Sequence, residues 1–188
     1  MAKQIWKPGN MVYPLPAAMV SVGAKDGTTN IITIAWTGTV CTNPAMLYIS
    51  VRPERYSYNM IKETGEFVLN LTTEALAKAT DYCGVRSGRD VDKWKETGLT
   101  AGKANALSYA PIIEESPVNI ECKVSEVKEL GSHHMFLAEV VSVQVSEEYM
   151  DEKGKFCLND TRLMAYSHGE YLTLGNKIGT FGYSVKKK

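Results

Sequence analysis

Apolar and polar residues alternate through several short runs of this chain, and this alternation constrains the fold more than any other feature. A period of two is typical of β-strands that are buried on one face. Asp26-Gly27, followed by two threonines, predicts a hairpin turn between the first two strands. So many closely spaced strands favour a closed or nearly closed antiparallel barrel with Greek-key connections. Strands are predicted over residues 17–24, 31–36, 46–51, 66–71, 118–127, 135–145 and 163–167, with a short one over 171–174.

Three helices are predicted as insertions between the strands. Residues 56–64 stop at Gly65, which suits a left-handed C-terminal cap. Residues 73–82 begin with capping oxygens, and residues 89–97 end at a glycine. Residues 101–117 are predicted to be irregular. The chain is therefore expected to be mainly β with helical inserts, and residues 1–188 to form a single domain, since no repeat or linker divides them.

The charge and hydropathy patterns argue against a nucleic-acid-binding protein and against a membrane protein. Lys and Arg number 21 and are balanced by 21 Asp and Glu, so no global positive field attracts nucleic acid or anionic lipid. The lysines at 186–188 are expected to form a solvated tail. No run approaches the roughly 20 apolar residues of a membrane span, and the N-terminus lacks the pattern of a secretory signal. We expect a cytoplasmic protein with no nucleic-acid partner and no membrane association.

The cysteines and histidines give little support to a metal site or a hydrolytic triad. Four widely spaced cysteines form no Cys-x-x-Cys pair, so reduced thiols are expected and no metal site is predicted. His133 and His134 are neighbours, and adjacent strand residues face opposite sides, so one is expected at the surface and the other at a site. The sequence explains the third histidine, His168, equally well as a site residue and as a hydrogen-bonded structural residue. Nucleophile-elbow, Walker and Rossmann motifs are missing, so a nicotinamide would bind transiently and outside a Rossmann fold.

Small polar residues are concentrated between positions 30 and 52, where two β-rich runs meet. The segment offers hydroxyls, accessible backbone and one large aromatic ring, which suits a planar, hydrogen-bonding ligand with a charged tail. An ordinary strand pair and turn explains the same residues equally well. The residues concerned are Thr33, Ala35, Trp36, Thr37, Gly38, Thr39 and Ser50.

Two neighbouring segments could bind an anion. Arg52 and Arg55 precede a predicted helix whose first turn contains Ser57, and free backbone donors at a helix N-terminus favour phosphate. Arg89 and Lys93 lie four residues apart, on one face of the helix predicted over residues 89–97. In both segments the alternative to anion binding is an ordinary capped helix whose cationic side chains face solvent.

Four longer segments identify a family. The chain resembles the flavin reductase-like, FMN-binding split-barrel proteins, and within them the flavoredoxin and archaeal ferric-reductase branch. The C-terminal pattern Tyr171-x-x-Leu-Gly-x-x-Ile-Gly-x-Phe-Gly also resembles this branch. The segments are residues 30–44, 48–70, 87–94 and 130–140, which follow in order along nearly the whole chain.

The resemblance implies a split β-barrel that forms a homodimer and binds one FMN per subunit near the dimer interface. It implies catalytic roles for His133, which would approach the flavin, and for Trp36, which would stack over it and restrict access. A protonated His133, or Lys93, would stabilise the reduced anionic flavin. The implied cofactor-binding residues are Asn30, Ala35, Trp36, Thr37, Gly38, Ser50, Val51, Arg52, Arg55, Tyr56, Ser57, Lys93, His133 and Tyr166.

The resemblance also implies an oxidoreductase that takes electrons from NAD(P)H and passes them to a flavin, a ferric complex or a protein. One alternative is a flavoredoxin-type carrier with tightly bound FMN and little NAD(P)H activity. The other is a module that binds flavin without turnover. The partners expected are a nicotinamide or a redox protein.

Overall fold

A computed structural model describes residues 1–185 of the chain, so the predicted lysine tail at 186–188 lies outside the described residues. Three α-helices, α1 to α3, and short 3-10 turns are set among the strands. The helices are α1 (Tyr56–Thr64), α2 (Ala77–Val85) and α3 (Lys93–Thr97). The strands are β1 (Leu15–Pro16), β2 (Ala18–Gly23), β3 (Thr29–Ile34), β4 (Thr37–Thr42), β5 (Ala45–Val51), β6 (Glu66–Leu71), β7 (Ala101–Gly102), β8 (Ile112–Ile113), β9 (Val118–Glu129), β10 (His134–Val145), β11 (Met164–Ser167) and β12 (Glu170–Thr173).

The main sheet closes on itself as a split barrel. Its seven antiparallel strands follow the order β3-β2-β6-β9-β10-β5-β4. The edge strands β3 and β4 are joined by only Ala35 and Trp36, so the two edges of the sheet must lie close together. The backbone N–H of Ser50 donates to the Trp36 carbonyl at 2.8 Å and fixes this junction. A second sheet, β1-β11-β12, stands beside the junction.

The apolar residues form two cores on opposite faces of the sheet. The barrel interior holds side chains such as Val20, Ile49 and Phe136, covered by α1. The second core holds Met19 and Ile31 on the outer face of β2 and β3, beneath α2. Both faces of β2 are therefore buried, and all of its residues are inaccessible to water.

Most sequence predictions of the fold are confirmed. All eight predicted strands are present within a few residues of their expected ends. Gly27 N–H donates to the Ala24 carbonyl at 3.1 Å in the predicted hairpin turn, and Gly65 caps α1 in the left-handed conformation. None of the helices in the described part of the chain has the length and apolar character that crossing a bilayer requires.

Four details of the prediction are wrong. Strand β4 was not predicted, and residues 101–117 contain the short pair β7–β8. The helix predicted over 73–82 consists of a 3-10 turn at Glu74–Leu76 followed by α2, which continues through Gly84. The helix predicted over 89–97 begins only at Lys93, because the Asp92 carboxylate caps it by accepting from the backbone N–H groups of Trp94 and Lys95.

Candidate functional site

A cleft of about 600 Å³ lies where the barrel junction, α2 and the second sheet meet. Its volume is within the range of small-molecule and cofactor sites. Apolar side chains from β3 and β5 form its floor, and charged and aromatic side chains form its walls. We call it the first cleft. Eight of the predicted site residues line it, namely Ala35, Trp36, Ser50, Val51, Arg52, Arg55, His133 and Tyr166.

The backbone of the β3–β4 junction holds Trp36 in place. Thr37 N–H donates to the Ala35 carbonyl at 3.0 Å, and the Thr37 hydroxyl donates to the Tyr48 carbonyl at 2.6 Å. The Trp36 indole faces the His133 imidazole with 11° between the ring planes and 6.3 Å between the centroids. Two nearly parallel rings at the cleft wall offer flat surfaces to a planar ligand.

Two arginines supply the positive charge of the first cleft. The Arg55 guanidinium donates to the Gly84 carbonyl at 2.8 Å, near the C-terminus of α2 where a cation is favoured. This bond uses one edge of the guanidinium and orients it. Arg52 is more exposed and pairs with Glu54 at 3.5 Å. Both side chains therefore have N–H donors available to an anionic group of a ligand.

His133 is an uncharged neighbour of these arginines. It follows the β9–β10 turn, and its Nδ1 lies 3.0 Å from the Ser132 hydroxyl. Burial, together with the charges of Arg52 and Arg55, lowers the pKa of His133 below its ordinary 6.5, with Glu54 acting in the opposite direction. The imidazole is therefore mainly neutral at pH 7, so the positive charge expected from a protonated His133 comes from the arginines instead.

The second sheet contributes the wall opposite His133. Tyr166 on β11 packs against Tyr171 on β12 with 5.7 Å between ring centroids. The Tyr171 hydroxyl donates to the Asp81 carboxylate at 3.3 Å. Burial, with the Asp81 charge, raises the pKa of Tyr171 to about 12. Tyr171 therefore remains protonated and connects this wall to α2.

The remaining predicted residues lie largely outside the first cleft. Asn30, Tyr56 and Lys93 line a second cleft of about 450 Å³ beside Gly88. Ser57 is buried, and its hydroxyl accepts from the Asn30 amide at 2.8 Å instead of pointing to solvent at the helix start. Thr37 and Gly38 lie on β4, behind the cleft surface.

Lys93 is held by the protein backbone. Its ammonium donates to the carbonyls of Ile31 and Cys83, both at 2.7 Å, and only 4% of the residue is exposed. It therefore connects β3 to α2. Arg89 precedes α3, so the expected shared helix face of Arg89 and Lys93 is wrong. Arg89 instead donates to the Glu54 carbonyl at 3.1 Å and lies over the Tyr56 ring.

Burial of Lys93 makes protein stability increase with pH above about pH 8. Desolvation lowers the pKa of Lys93 from 10.5 to about 8. Between these values the unfolded chain binds more protons than the folded chain, so the free energy of unfolding rises with pH. From pH 8 to pH 9 we expect a gain of about 1 kcal/mol relative to Lys93→Met, measured by urea unfolding.

Above pH 9 the buried Cys83 thiol, whose pKa is raised to about 11, has the opposite effect and limits the window. Lys95→Met removes an exposed lysine from the same helix and is the matched control. Equal pH slopes in the wild type and in Lys93→Met would contradict the lowered pKa.

Sequence reasoning missed several residues of the first cleft. Asp81 and Gly84 reach it through the packing of α2 on β3, and Gly169 and Tyr171 reach it through the second sheet. The Tyr171 segment was noted only as a family pattern. No local signal identifies Asp81 or Gly84, because their position depends on contacts between distant parts of the chain.

The fold and the first cleft define a split-barrel protein with a site for a planar ligand that carries an anionic group. A flavin mononucleotide fits this description, since it combines an aromatic ring system, hydroxyls and a phosphate. The chain belongs to the flavin reductase like domain family, whose model matches residues 11–175. Membership of this family supports a flavin-binding redox function.

Two solved structures share the whole fold, and a further relative matches in sequence. The flavoredoxin of Desulfovibrio vulgaris (Miyazaki F) has a TM-score of 0.90 and 28% identity, covering 98% of this chain and 100% of that chain. The flavoredoxin from Methanosarcina acetivorans has a TM-score of 0.88 and 30% identity, covering 98% of both chains. An uncharacterized protein of Archaeoglobus fulgidus is 30% identical over 162 residues, which is 86% of this chain and 89% of that protein.

Proposed function

We propose that the protein binds FMN in the first cleft and is an oxidoreductase that takes electrons from NAD(P)H and passes them to a flavin, ferric or protein acceptor. The observation that carries this proposal is the convergence of Arg52 and Arg55 with the parallel rings of Trp36 and His133 in one cleft. Positive charge and flat aromatic surfaces at neighbouring points match the two ends of FMN.

The residues divide into two groups by chemistry. Arg55, oriented by the Gly84 carbonyl, and the more exposed Arg52 would hold the phosphate through charge-assisted hydrogen bonds. Trp36, His133 and the apolar floor would hold the ring system and exclude water from one of its faces. When bound, FMN supplies the electron and hydride transfer, while the protein sets its orientation and electrostatic surroundings.

The protonation states limit the role of each side chain. A neutral His133 can donate or accept one hydrogen bond at the flavin but does not supply a positive charge at pH 7. The positive charge of the cleft then comes from Arg52 and Arg55, which the proposal places at the phosphate, and not from His133. His133 and Trp36 would then act by position, controlling which partner reaches the ring system.

A flavoredoxin-type electron carrier is the second candidate. Two flavoredoxins match nearly the full length of the chain at 28% and 30% identity. A carrier would use the same cleft and the same contacts, but would receive electrons from a protein. A module that binds flavin without turnover is the remaining alternative.

Anaerobic spectroscopy separates these functions. We expect the purified protein, loaded with FMN, to show the absorbance bands of oxidised flavin, and NADH or NADPH to bleach them within the time of a steady-state assay. Bands that persist with both nicotinamides but bleach with a reduced redox protein would favour the carrier. Bands that only dithionite bleaches would favour the binding module. Failure to bind FMN at all would contradict the site.

A further inference from the structure

His133 reaches the first cleft from the turn between β9 and β10. The turn residues 130–132 are exposed, and Leu130 N–H donates to the His133 carbonyl at 3.1 Å to close the turn. Strand β10 begins only at the next residue, His134. An exposed turn therefore carries the His133 imidazole, so its position against Trp36 depends on what fixes the start of β10.

His134 points to the opposite side of β10, away from the first cleft. Neighbouring residues of a strand face opposite sides, and Phe136, two residues further on, is fully buried in the barrel. The His134 side chain faces the same interior and is only 16% exposed. Its backbone pairs with Val51 on β5. A contact that fixes the His134 ring therefore also fixes the first residue of β10 and the His133 beside it.

Tyr58 on α1 makes that contact. Its hydroxyl lies 2.7 Å from His134 Nδ1, and the two rings meet edge to face with 5.4 Å between their centroids. The Tyr58 ring also packs edge to face on Phe136, again with 5.4 Å between centroids. Only 5% of Tyr58 is exposed, so the hydrogen bond is largely shielded from water. Since α1 packs mainly on β2, β3 and β6, Tyr58 connects this helix to a more distant part of the barrel.

The same turn of α1 also contributes to the first cleft. Tyr58 N–H donates to the Arg55 carbonyl at 3.0 Å, so the two residues lie in one helical turn. Arg55 and His133 both line the first cleft, although they come from different elements. The hydrogen bond between Tyr58 and His134 therefore joins, behind the cleft, the two elements that carry Arg55 and His133.

We propose that Tyr58 is a positioning residue of the flavin site. Through its hydrogen bond to His134 it holds His133 where the imidazole lies 11° from the plane of the Trp36 indole. Neither Tyr58 nor His134 lines the first cleft, so both act through His133. The effect on FMN rests on the proposed function, whereas the position of His133 is measurable without flavin.

Tryptophan fluorescence of the flavin-free protein reports this position. A protonated imidazole quenches a neighbouring indole more strongly than a neutral one does. When Trp6 and Trp94 are replaced by phenylalanine, Trp36 is the only tryptophan of the full chain. We expect its emission to fall as the pH is lowered, with a midpoint below pH 6.5, because the pKa of His133 is lowered by burial and by the arginines. His133→Ala should abolish this step, which assigns it.

Tyr58→Phe in the same background removes the hydroxyl and keeps both ring contacts. We expect the quenching of Trp36 to lose about half of its amplitude or more, and its midpoint to move up toward pH 6.5, because a released His133 is less buried and farther from the arginines. Tyr82→Phe removes a hydroxyl from α2 and is the matched control, with quenching unchanged. A merely structural Tyr58 would lower the free energy of unfolding without changing the quenching.

Variants of His134 separate the hydrogen bond from ring packing. His134→Asn keeps a polar atom close to the position of Nδ1 and can retain the bond to Tyr58, whereas His134→Leu cannot. We expect His134→Asn to keep the quenching and His134→Leu to behave like Tyr58→Phe. In FMN titrations, His134→Leu and Tyr58→Phe should each raise the Kd about three- to tenfold, and neither should add to the effect of His133→Ala.

Wild-type quenching in Tyr58→Phe, or a parent protein whose Trp36 emission does not depend on His133, would overturn the proposal. Additive effects of Tyr58→Phe and His133→Ala on the Kd for FMN would also overturn it, because Tyr58 would then act by another route. A parent protein that shows the quenching but binds no FMN would contradict the proposed function. In that case the loss of quenching in Tyr58→Phe would still support the positioning of His133.

Discussion

Replacing Arg55 with alanine is expected to raise the Kd for FMN by about 10- to 100-fold, since a charge-assisted hydrogen bond contributes about 1.5–3 kcal/mol. The Gly84 carbonyl already orients the guanidinium at 2.8 Å, so little side-chain freedom is lost when phosphate binds. Arg55→Lys keeps the charge but not the planar donor fork, and should give an intermediate loss. Fluorescence titration with FMN gives the Kd of the wild type, of Arg55→Ala and of Arg55→Lys.

Arg89→Ala is the matched control for this prediction. Arg89 is an exposed arginine near α1 that lines the second cleft. We expect its loss to leave the Kd within about twofold, as for other surface charges. The reverse pattern, with Arg89 important and Arg55 unimportant, would place the phosphate in the second cleft and contradict the assignment to the first. Urea unfolding of each variant checks that the protein remains folded.

The barrel could be predicted because alternation in the sequence reports burial on one face. Strand β4 was not predicted because its sequence lacks this alternation. It is an edge strand, and its residues Thr37–Thr42 alternate poorly because most of them are partly or fully exposed. The start of α3 was wrong because Ser87, which precedes the predicted start, and Asp92 are both good capping residues in the sequence. Only the structure shows that the Asp92 carboxylate accepts the first free N–H groups of the helix.

From the residues alone the site could be predicted only where its residues are close in sequence, and His133 and Tyr166, which also line the first cleft, were predicted through the family resemblance. Arg52 and Arg55 lie together because β5 runs directly into α1. Lys93 was also predicted as a cation of the site, but its ammonium donates to two backbone carbonyls instead. A buried lysine and a ligand-binding lysine therefore look alike in sequence.

Residues 101–117 are the clearest case of order that local sequence does not predict. They looked irregular, but carboxylates from two adjacent strands of the barrel hold them. Glu66 accepts from the backbone of Ser108 and Tyr109, both at 2.9 Å. Glu121 accepts from the backbone of Asn105 and Ala106 at 2.8 and 2.6 Å, and from Gln144 at 2.9 Å. A loop is thus fixed to the sheet by carboxylates that the strand pattern would place among solvated residues.

Glu121→Leu is therefore expected to lower the free energy of unfolding by about 2–4 kcal/mol at pH 7, because it leaves two backbone donors without acceptors. Glu121 itself is fully buried. Glu126→Leu, at an exposed position of the same strand, is the control and should change stability by about 0.5 kcal/mol or less. Urea unfolding at constant pH gives both values.

The pH dependence of this difference identifies the carboxylate as its cause. Burial acts to raise the pKa of Glu121, but the hydrogen bonds from Asn105 and Ala106 outweigh it and hold the pKa below the ordinary value of 4.5. Since the folded-state pKa is the lower one, this stabilisation is complete above pH 4.5 and is lost as the pH falls below it. The wild type and Glu121→Leu should therefore converge in stability in acid. A difference that stays constant from neutral to acidic pH would assign the loss to packing rather than to the ionised carboxylate.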